Sequence, residues 1–506
     1  MEESRTKKTK RNIMVSFLYT ALLMLFQFVS RSVIIKYLGE EYLGLSSLFA
    51  SILQVLNMTE LGFSGAIVYN MYKPLAENNT QAVCALLAYY KKVYRTIGLI
   101  IMIAGITIIP IIPRLINGLS ISKMDIYFLY CLYLANTVVS YFLFAYKTSL
   151  LEAVQRMDLA KFSYIVVSIV QYTLQILSIV ILKNYYMFVF FMCIGSCAKN
   201  YVASYLSKKY FPQYECYGEL TQQEKENIIA RVKGLMVGSI SSISYTTFDS
   251  IILSSFVGLS SVAIYNNYVT VMTGVTTIIS LIRNAMQASV GDSIAKDSIE
   301  KNYSDMILWQ FLFSFAASWC TAVMFSLFQP FMLLWMGRKM LLPTYDVILI
   351  CAWFNITVVQ HSFLLYLAGN GLWWEVRGPY ICSTIVNLIL NLVLGRLYGI
   401  TGIIFASLFS ILVFGLIWHC IVVFKEYFRK SPSSFFAKQL FYLFVSVVVS
   451  AITYFICLQI SVDGLLGLLI KLFASAGAAL AVLVLVYWKT SIFKRSLKFL
   501  ISVIKS

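Results

Sequence analysis

Two carboxylates and two arginines stand where the chain is otherwise almost wholly apolar. Glu60 lies about eight residues from one end of the stretch 43–68, and Asp249 lies toward the far end of 235–257. A charge at the centre of a bilayer costs roughly 2.5–3.5 kcal/mol, so such residues usually face a wet cavity and do work. Both acids are too short to reach water along a lipid face. In a cavity they could take up a proton or a cation. Arg31 is nearer an interface and Arg283 sits at the edge of 261–282; each could hold an anion. Lys199 and Lys471 read as snorkelling or structural lysines.

Amides extend the pattern. Gln54, Asn57 and Glu60 recur every three residues and mark one helix face; Gln171 and Gln175 share another. Asn266 and Asn267 open the stretch 261–282, and Asn387 and Asn391 share a face of 380–395. Hydrogen bonds between helices account for most such pairs, at about 0.6 kcal/mol each. Four polar-faced helices together fit better with a hydrated central cavity for a polar solute.

Enzyme chemistry has little to stand on. No G-x-x-x-x-G-K-[ST] pattern is present. His361 and His419 lie on different apolar stretches without nearby acids and read as hydrogen-bonded interior residues. Glu40 and Glu41 read as solvated charges in a turn. Cys193 and Cys197, one helical turn apart, read as packing, and the scattered cysteines indicate no disulfide. Neither a metal nor a cofactor is expected.

The elements that must position these residues are membrane spans. Fourteen apolar stretches are long enough to cross a bilayer: 13–35, 43–68, 94–113, 125–146, 162–182, 186–206, 235–257, 261–282, 306–329, 344–368, 380–395, 401–424, 436–458 and 465–487. Sixty per cent of residues are hydrophobic, 12% are charged, and the mean hydropathy is +0.80. A soluble domain carries roughly 25% charged residues. The runs are continuous rather than alternating, which predicts an all-α integral membrane protein in preference to a barrel. Pro74, Pro212, Pro330, Pro343, Pro379 and Pro432 are expected between spans.

The net charge of +18 follows from topology rather than from nucleic acid. Assigning each Lys or Arg to the nearer span end puts about 31 of the 40 on the side of both termini, which the positive-inside bias makes cytoplasmic. The basic run Arg5, Lys7, Lys8, Lys10 and Arg11 leads into a stretch too long for a signal peptide, so a first span is expected there. The segment 207–234 reads as a hydrated linker or surface helix. It divides the chain into an N-terminal lobe 1–206, a C-terminal lobe 235–424, two additional spans 425–487 and a basic amphipathic tail 488–506. The stretch Arg31-Ser32-Val33-Ile34-Ile35 with Gly39 parallels Asp249-Ser250-Ile251-Ile252-Leu253 with Gly258, which suggests a parallel repeat.

Several motifs, in this order, resemble a known family. Tyr37-Leu38-Gly39, Tyr42-Leu43-Gly44-Leu45 and Glu60-Leu61-Gly62-Phe63 are similar to the start of bacterial polysaccharide-repeat flippases of the Wzx type. Asp249-Ser250-Ile251-Ile252, Val262 to Tyr268, Leu334-Trp335-Met336-Gly337, Arg377-Gly378-Pro379 and Gly399-Ile400-Thr401-Gly402 look like later parts of that family. The resemblance implies the multidrug/oligosaccharidyl-lipid/polysaccharide exporter superfamily, with two six-helix lobes around a central cavity and two further helices. It implies a bacterial inner-membrane protein that flips undecaprenyl-diphosphate-linked oligosaccharide for O-antigen, capsule or related polymers. A lipid-linked oligosaccharide and the bilayer are then its partners, with a polysaccharide polymerase and a chain-length regulator as candidates beside them. Ion coupling, to protons or sodium, would give Glu60 or Asp249 a titrating role. Arg31, Arg283 and the amides would line the cavity.

Three alternatives stay open: a multidrug exporter or a lipid II flippase of the same superfamily, and, more remotely, a membrane polysaccharide polymerase. Short outer loops count against the last. If the two blocks face each other, Arg31 with Asp249 and Glu60 with Arg283 could pair at opposite ends of the cavity, and an arriving diphosphate could compete for the arginine.

Overall fold

In the computed structural model, which describes residues 5–60, 63–118, 121–143, 146–462 and 464–505, two compact units divide the chain at 263/264. All regular structure among the described residues is helical. The first unit holds α1 (Arg5–Leu38), α2 (Glu40–Asn57), a single tight turn Met58–Glu60, α3 (Phe63–Ala76), α4 (Thr80–Ile108), α5 (Lys123–Phe142), α6 (Tyr146–Ala153), α7 (Met157–Val180), α8 (Tyr185–Tyr210) and α9 (Gln222–Phe256). The head of α10 (Leu259–Lys296) also belongs to it. The second unit continues through α11 (Ile299–Met336), α12 (Thr344–Val359), α13 (His361–Gly369), α14 (Arg377–Ser410), α15 (His419–Val423), α16 (Ser433–Leu458), α17 (Gly464–Tyr487) and α18 (Ser491–Lys505). Widened helical turns at Ile411–Trp418 and Phe424–Phe428 flank α15.

Local chemistry sets the helix ends. The Asn79 side chain accepts from the Ala82 N–H at 3.0 Å, and Asn184 accepts from Met187 at 3.1 Å. Thr221 and Glu224 form a reciprocal capping box that starts α9. Gly39 (φ 97°) and Gly258 (φ 118°) end α1 and α9 in the left-handed half of backbone space, where a β-carbon is strained. Each donates its N–H to the carbonyl five residues back, Ile34 and Leu253, at 3.1 Å, and the next helix begins at once. This shared geometry supports the parallel between the two segments.

Ten helices among the described residues are long and apolar enough to cross a membrane, or eleven when α5 and α6, bent by 53°, count as one. Twelve of the fourteen stretches expected from the sequence fall in these helices, two of them in a single run, and 43–68 and 235–257 lie outside them. The stretch 43–68 is interrupted between α2 and α3, and 235–257 is the second half of α9. The stretches 380–395 and 401–424 lie in one run, Arg377–Phe428, of 52 residues. At 1.5 Å per residue that run would be about 78 Å, far beyond one crossing. Gly399 (φ 59°, ψ −129°) breaks it, and Gly402 then packs directly on the Leu394 carbonyl, so its two arms lie side by side.

Two expectations about prolines need correction. Pro74 and Pro330 lie inside α3 and α11 rather than between spans. A proline costs a helix one hydrogen bond, and membrane helices carry it where neighbouring groups satisfy the freed carbonyl. The linker is also more helical than its composition suggests, since only 211–221 separates α8 from α9.

Within the first unit α1 packs on α7, α7 on α8, α8 on α5, α5 on α4, and α2 on α9. Gly44 lets α2 meet the Leu259 carbonyl directly, and Ser260 donates to Glu40 at 2.9 Å, so Glu40 is engaged rather than simply solvated. At the start of α7, Asp158 is 6% exposed and bridges Arg11 at 2.7 Å and Arg156 at 3.1 Å. In the second unit α11 is the hub, packed on α12, α16 and α17 around Phe311, Tyr442, Val449, Leu483 and Tyr487.

Candidate functional site

A cavity of about 360 Å³ lies inside the first unit, lined by Asn57, Glu60, Tyr94, Asn136, Thr137, Ser140, Tyr141, Ser196 and Asn200. Every one of these carries a hydroxyl, amide or carboxyl group, and none is cationic. Four helices and one turn supply them. Asn57 ends α2, and the tight turn that follows presents Glu60. Tyr94 comes from α4; Asn136, Thr137, Ser140 and Tyr141 recur at three- and four-residue steps along α5; Ser196 and Asn200 stand one turn apart on α8.

Glu60 is the centre of the arrangement. The Tyr94 hydroxyl donates to its Oε1 and the Tyr141 hydroxyl to its Oε2. Tyr141 also stands 3.2 Å from Asn57 Oδ1. Both tyrosines are 6% exposed, and their rings are wedged in series, Tyr90 against Tyr94 at 4.4 Å and Tyr94 against Tyr141 at 5.4 Å. Packing therefore aims the hydroxyls before any ligand arrives. Two O–H donors stabilise this half-buried carboxylate, with hydrogen bonds to charged groups worth about 1.5–3 kcal/mol each. Asn136 adds a buried carbonyl oxygen without a hydrogen-bond partner among the described residues. Asn200 donates to the Ser140 carbonyl at 3.5 Å, tying α8 to α5. The cavity is rich in acceptors, which suits a proton or small cation and does not suit a phosphate.

The other sequence-predicted residues fall elsewhere. Gln54, one turn before Asn57, is exposed and does not line this cavity. Asp249 is fully buried on α9, and Arg31 is half-buried near the end of α1; both belong to the first unit. Arg283 lies in the second unit, where its guanidinium donates to Asn284 at 3.0 Å. Asn266 is half-buried and Asn267 fully buried on α10.

Asn387 and Asn391 are fully buried within the α14 hairpin. Asn387 donates to Ser407 at 3.3 Å and Asn391 donates to Asn387 at 3.2 Å. His361 and His419 are interior, as expected. His361 lies 3.3 Å from the Ser280 hydroxyl, and His419 lies 3.1 Å from the Gly415 carbonyl with its ring against Tyr380.

Tyr94, Asn136, Ser140, Tyr141, Ser196 and Asn200 did not stand out in the sequence. The signal was available for α5 and α8. Asn136, Thr137, Ser140 and Tyr141 form the same kind of polar helix face that marked Gln54, Asn57 and Glu60.

Comparison with known proteins places the fold. A lipid II flippase MurJ in an inward closed conformation matches with a TM-score of 0.69 at 14% identity, covering 94% of this chain and 98% of that one. An inward-facing multidrug resistance MATE family transporter of the MOP superfamily matches with a TM-score of 0.62 at 12% identity, covering 81% and 98%. The Vibrio cholerae MATE transporter VcmN in its bent form gives 0.55 at 13% identity, over 84% and 98%. No curated protein sequence matches. These likenesses establish the fold that the resemblance implied, and the apolar helices make the chain a multi-pass membrane protein. Residues 9–288, more than half of the chain, match the polysaccharide biosynthesis protein family, and the chain belongs to that family.

Proposed function

We propose that this protein flips undecaprenyl-diphosphate-linked oligosaccharide repeat units from the cytoplasmic to the outer leaflet of a bacterial inner membrane, without cutting them. The observation that carries this reading is the family membership joined to a transporter fold. An arginine meets a diphosphate through paired N–H donors, amides and aromatics meet sugars, and the lipid tail stays in the bilayer. Arg31, Arg283 and the amides Asn57, Asn266 and Asn267 are the residues proposed to contact the substrate; Asn387 and Asn391 are proposed to hold the α14 hairpin together, and Gln54 has no part in the Glu60 cavity. Both termini are cytoplasmic in this reading, and a polymerase and chain-length regulator receive the product.

Glu60 is proposed to couple flipping to a cation. Its carboxylate is held by two tyrosine hydroxyls in a polar cavity without a basic residue, so a proton or sodium ion is the charge that fits. Asp249 is proposed to act with Arg31 as a gate. An opposite-charge pair neutralises two buried charges in the empty state, and an anionic substrate would release the carboxylate.

A second reading, a lipid II flippase, is favoured by one observation. The likeness to MurJ extends over 94% of the chain, against 81% for the inward-facing MATE transporter.

Reconstitution in liposomes tests both. Lipid-linked oligosaccharide placed in one leaflet should become accessible from the other only with protein present and a cation gradient imposed. Transport of lipid II alone would replace the first reading with the second. Release of free glycan by the purified protein would refute transport without cleavage. For the gate, Asp249→Arg and Arg31→Asp should each stop flipping and the double swap should restore part of it. No rescue at normal membrane levels would remove the pair.

A further inference from the structure

A second groove, of about 500 Å³, opens on the first unit against α4, and its character is the opposite of the Glu60 cavity. Lys91, Lys92, Arg95 and Thr96 line one end of it, and Leu99 and Phe142 line the other. The three cations fall within about one and a half helical turns, and none forms an ion pair with a carboxylate among the described residues. Among the described residues, the partner for the Lys91 charge is the Tyr146 ring, at 5.9 Å. Lys147, 4% exposed, adds a fourth positive charge beside the same ring, at 6.0 Å, and donates to the Tyr214 carbonyl at 3.3 Å. From the neighbouring loop and helix, Lys208 and Glu215 also act on Lys147, the first opposing its charge and the second favouring it.

Like charges this close repel, and a doubly or singly charged oxyanion between them removes the repulsion. The shape of α4 says what that anion is attached to. Lys92, Arg95, Leu99, Ile103 and Ile106 follow one another at three- and four-residue steps, so they share a helix face. Leu99, Ile103 and Ile106 are 46%, 55% and 53% exposed, and Phe142 beside them is 41% exposed. The face is cationic at one end and bare hydrocarbon for the next three turns. Lys92 to Ile106 covers about 21 Å at 1.5 Å per residue, which is head-to-tail matching for a lipid standing in one leaflet. Free lysines that merely snorkel need no groove and no third cation.

We propose that this groove binds the phosphate of an anionic lipid, with its tail along Leu99, Ile103 and Ile106. The ligand chemistry is a phosphate ester carried on a hydrocarbon chain, from either a bulk anionic phospholipid or a polyprenyl phosphate. The inference does not depend on what the protein transports.

Native mass spectrometry of the intact protein, with added lipids in separate arms, tests it. The probes are phosphatidylglycerol, phosphatidylcholine, undecaprenyl phosphate and inorganic phosphate. Phosphatidylglycerol or undecaprenyl phosphate should be retained over phosphatidylcholine, and the stronger of the two identifies the source. The triple substitution Lys91→Gln, Lys92→Gln, Arg95→Gln should lower that retention by about a hundredfold, since each basic group near a charged lipid surface contributes roughly a fivefold factor. A charge-matched control, Lys73→Gln, Lys296→Gln, Lys301→Gln, should leave it within about twofold, because those lysines are exposed and sit in surface pairs. Equal retention by the triple variant and the wild type would overturn the proposal, as would displacement of the lipid by inorganic phosphate at matched concentration. If the triple variant fails to fold, acetylation of the wild-type protein decides instead. Phosphatidylglycerol, unlike phosphatidylcholine, should shield Lys91 and Lys92 from the reagent, and equal labelling in both lipids would refute the site.

Discussion

Polar side chains are buried in both units, but to different ends. In the second unit they satisfy one another across helix interfaces. Asn355 donates to Thr321 and Ser446, both at 3.2 Å; Gln310 donates to the Phe435 carbonyl at 2.9 Å; Ser314 donates to Gln439 at 3.1 Å. Beside this network lies an almost wholly apolar groove of about 470 Å³ between α12, residues 408–417 and α16. In the first unit the polar groups from α2, the turn after it, α4, α5 and α8 leave an open polar space lined by a carboxylate. Neutral amides and hydroxyls can close on themselves as donor and acceptor. A carboxylate only accepts, so it recruits donors around it and keeps capacity for a proton or cation.

That comparison can be broken at four points. The largest effect is expected at Glu60. Glu60→Gln keeps the shape but removes the negative charge and turns one acceptor oxygen into an N–H donor, and cation-driven flipping should fall to background while protein levels hold. Normal gradient-dependent transport in this variant would end the coupling role. Tyr141→Phe comes next, because it removes one donor from the charged carboxylate. The cation titration should shift by about tenfold or more toward tighter binding, because the lost bond of about 1.5–3 kcal/mol stabilised the cation-free carboxylate. An unchanged cation titration would mean that the hydroxyl is decorative.

Asn387→Ala should behave in the opposite way. It leaves Asn391 and Ser407 short of a partner and should cost roughly 1–3 kcal/mol of stability, seen as a lower melting temperature and less protein in the membrane. Transport per folded molecule should persist; its selective loss would move Asn387 into the transport machinery. The smallest effect is expected at Gln54. Its side chain is exposed and away from the Glu60 cavity, so Gln54→Ala should change stability by no more than about 0.5 kcal/mol. A strong transport defect there would show that the polar face of α2 works as a whole.

The sequence made the helical class legible because hydropathy follows directly from the solvent that surrounds each segment. Glu60 was legible for the same reason, since an uncompensated charge in a span is costly. Its partners were not. A tyrosine in a membrane helix reads equally well as an interfacial anchor or a core residue, and only the crossing of α4 and α5 brings Tyr94 and Tyr141 to one carboxylate. Asn387 and Asn391 show the limit of counting amides. Their spacing marks a shared face, but whether that face meets water or another helix is decided by Gly399, whose turn folds α14 back on itself. The interruption between α2 and α3 was hidden for a further reason: hydropathy averages over a window and passes across a break of a few residues.

The terminal helix α18 has a consequence of a practical kind. Its Arg495 grips Asp305 at 2.6 Å and the Ser304 hydroxyl at 2.7 Å, and Phe499 packs edge-on against Trp309 at 5.0 Å. All three partners lie on the first turns of α11, the helix on which α12, α16 and α17 converge. Leu497, on the opposite, uncovered side, is 50% exposed. The carboxyl end of the chain is therefore a pointer fixed to the axle of the second unit. A spin label or fluorophore at position 497 would report how that axle tilts during a transport cycle, without a single change inside the machinery itself.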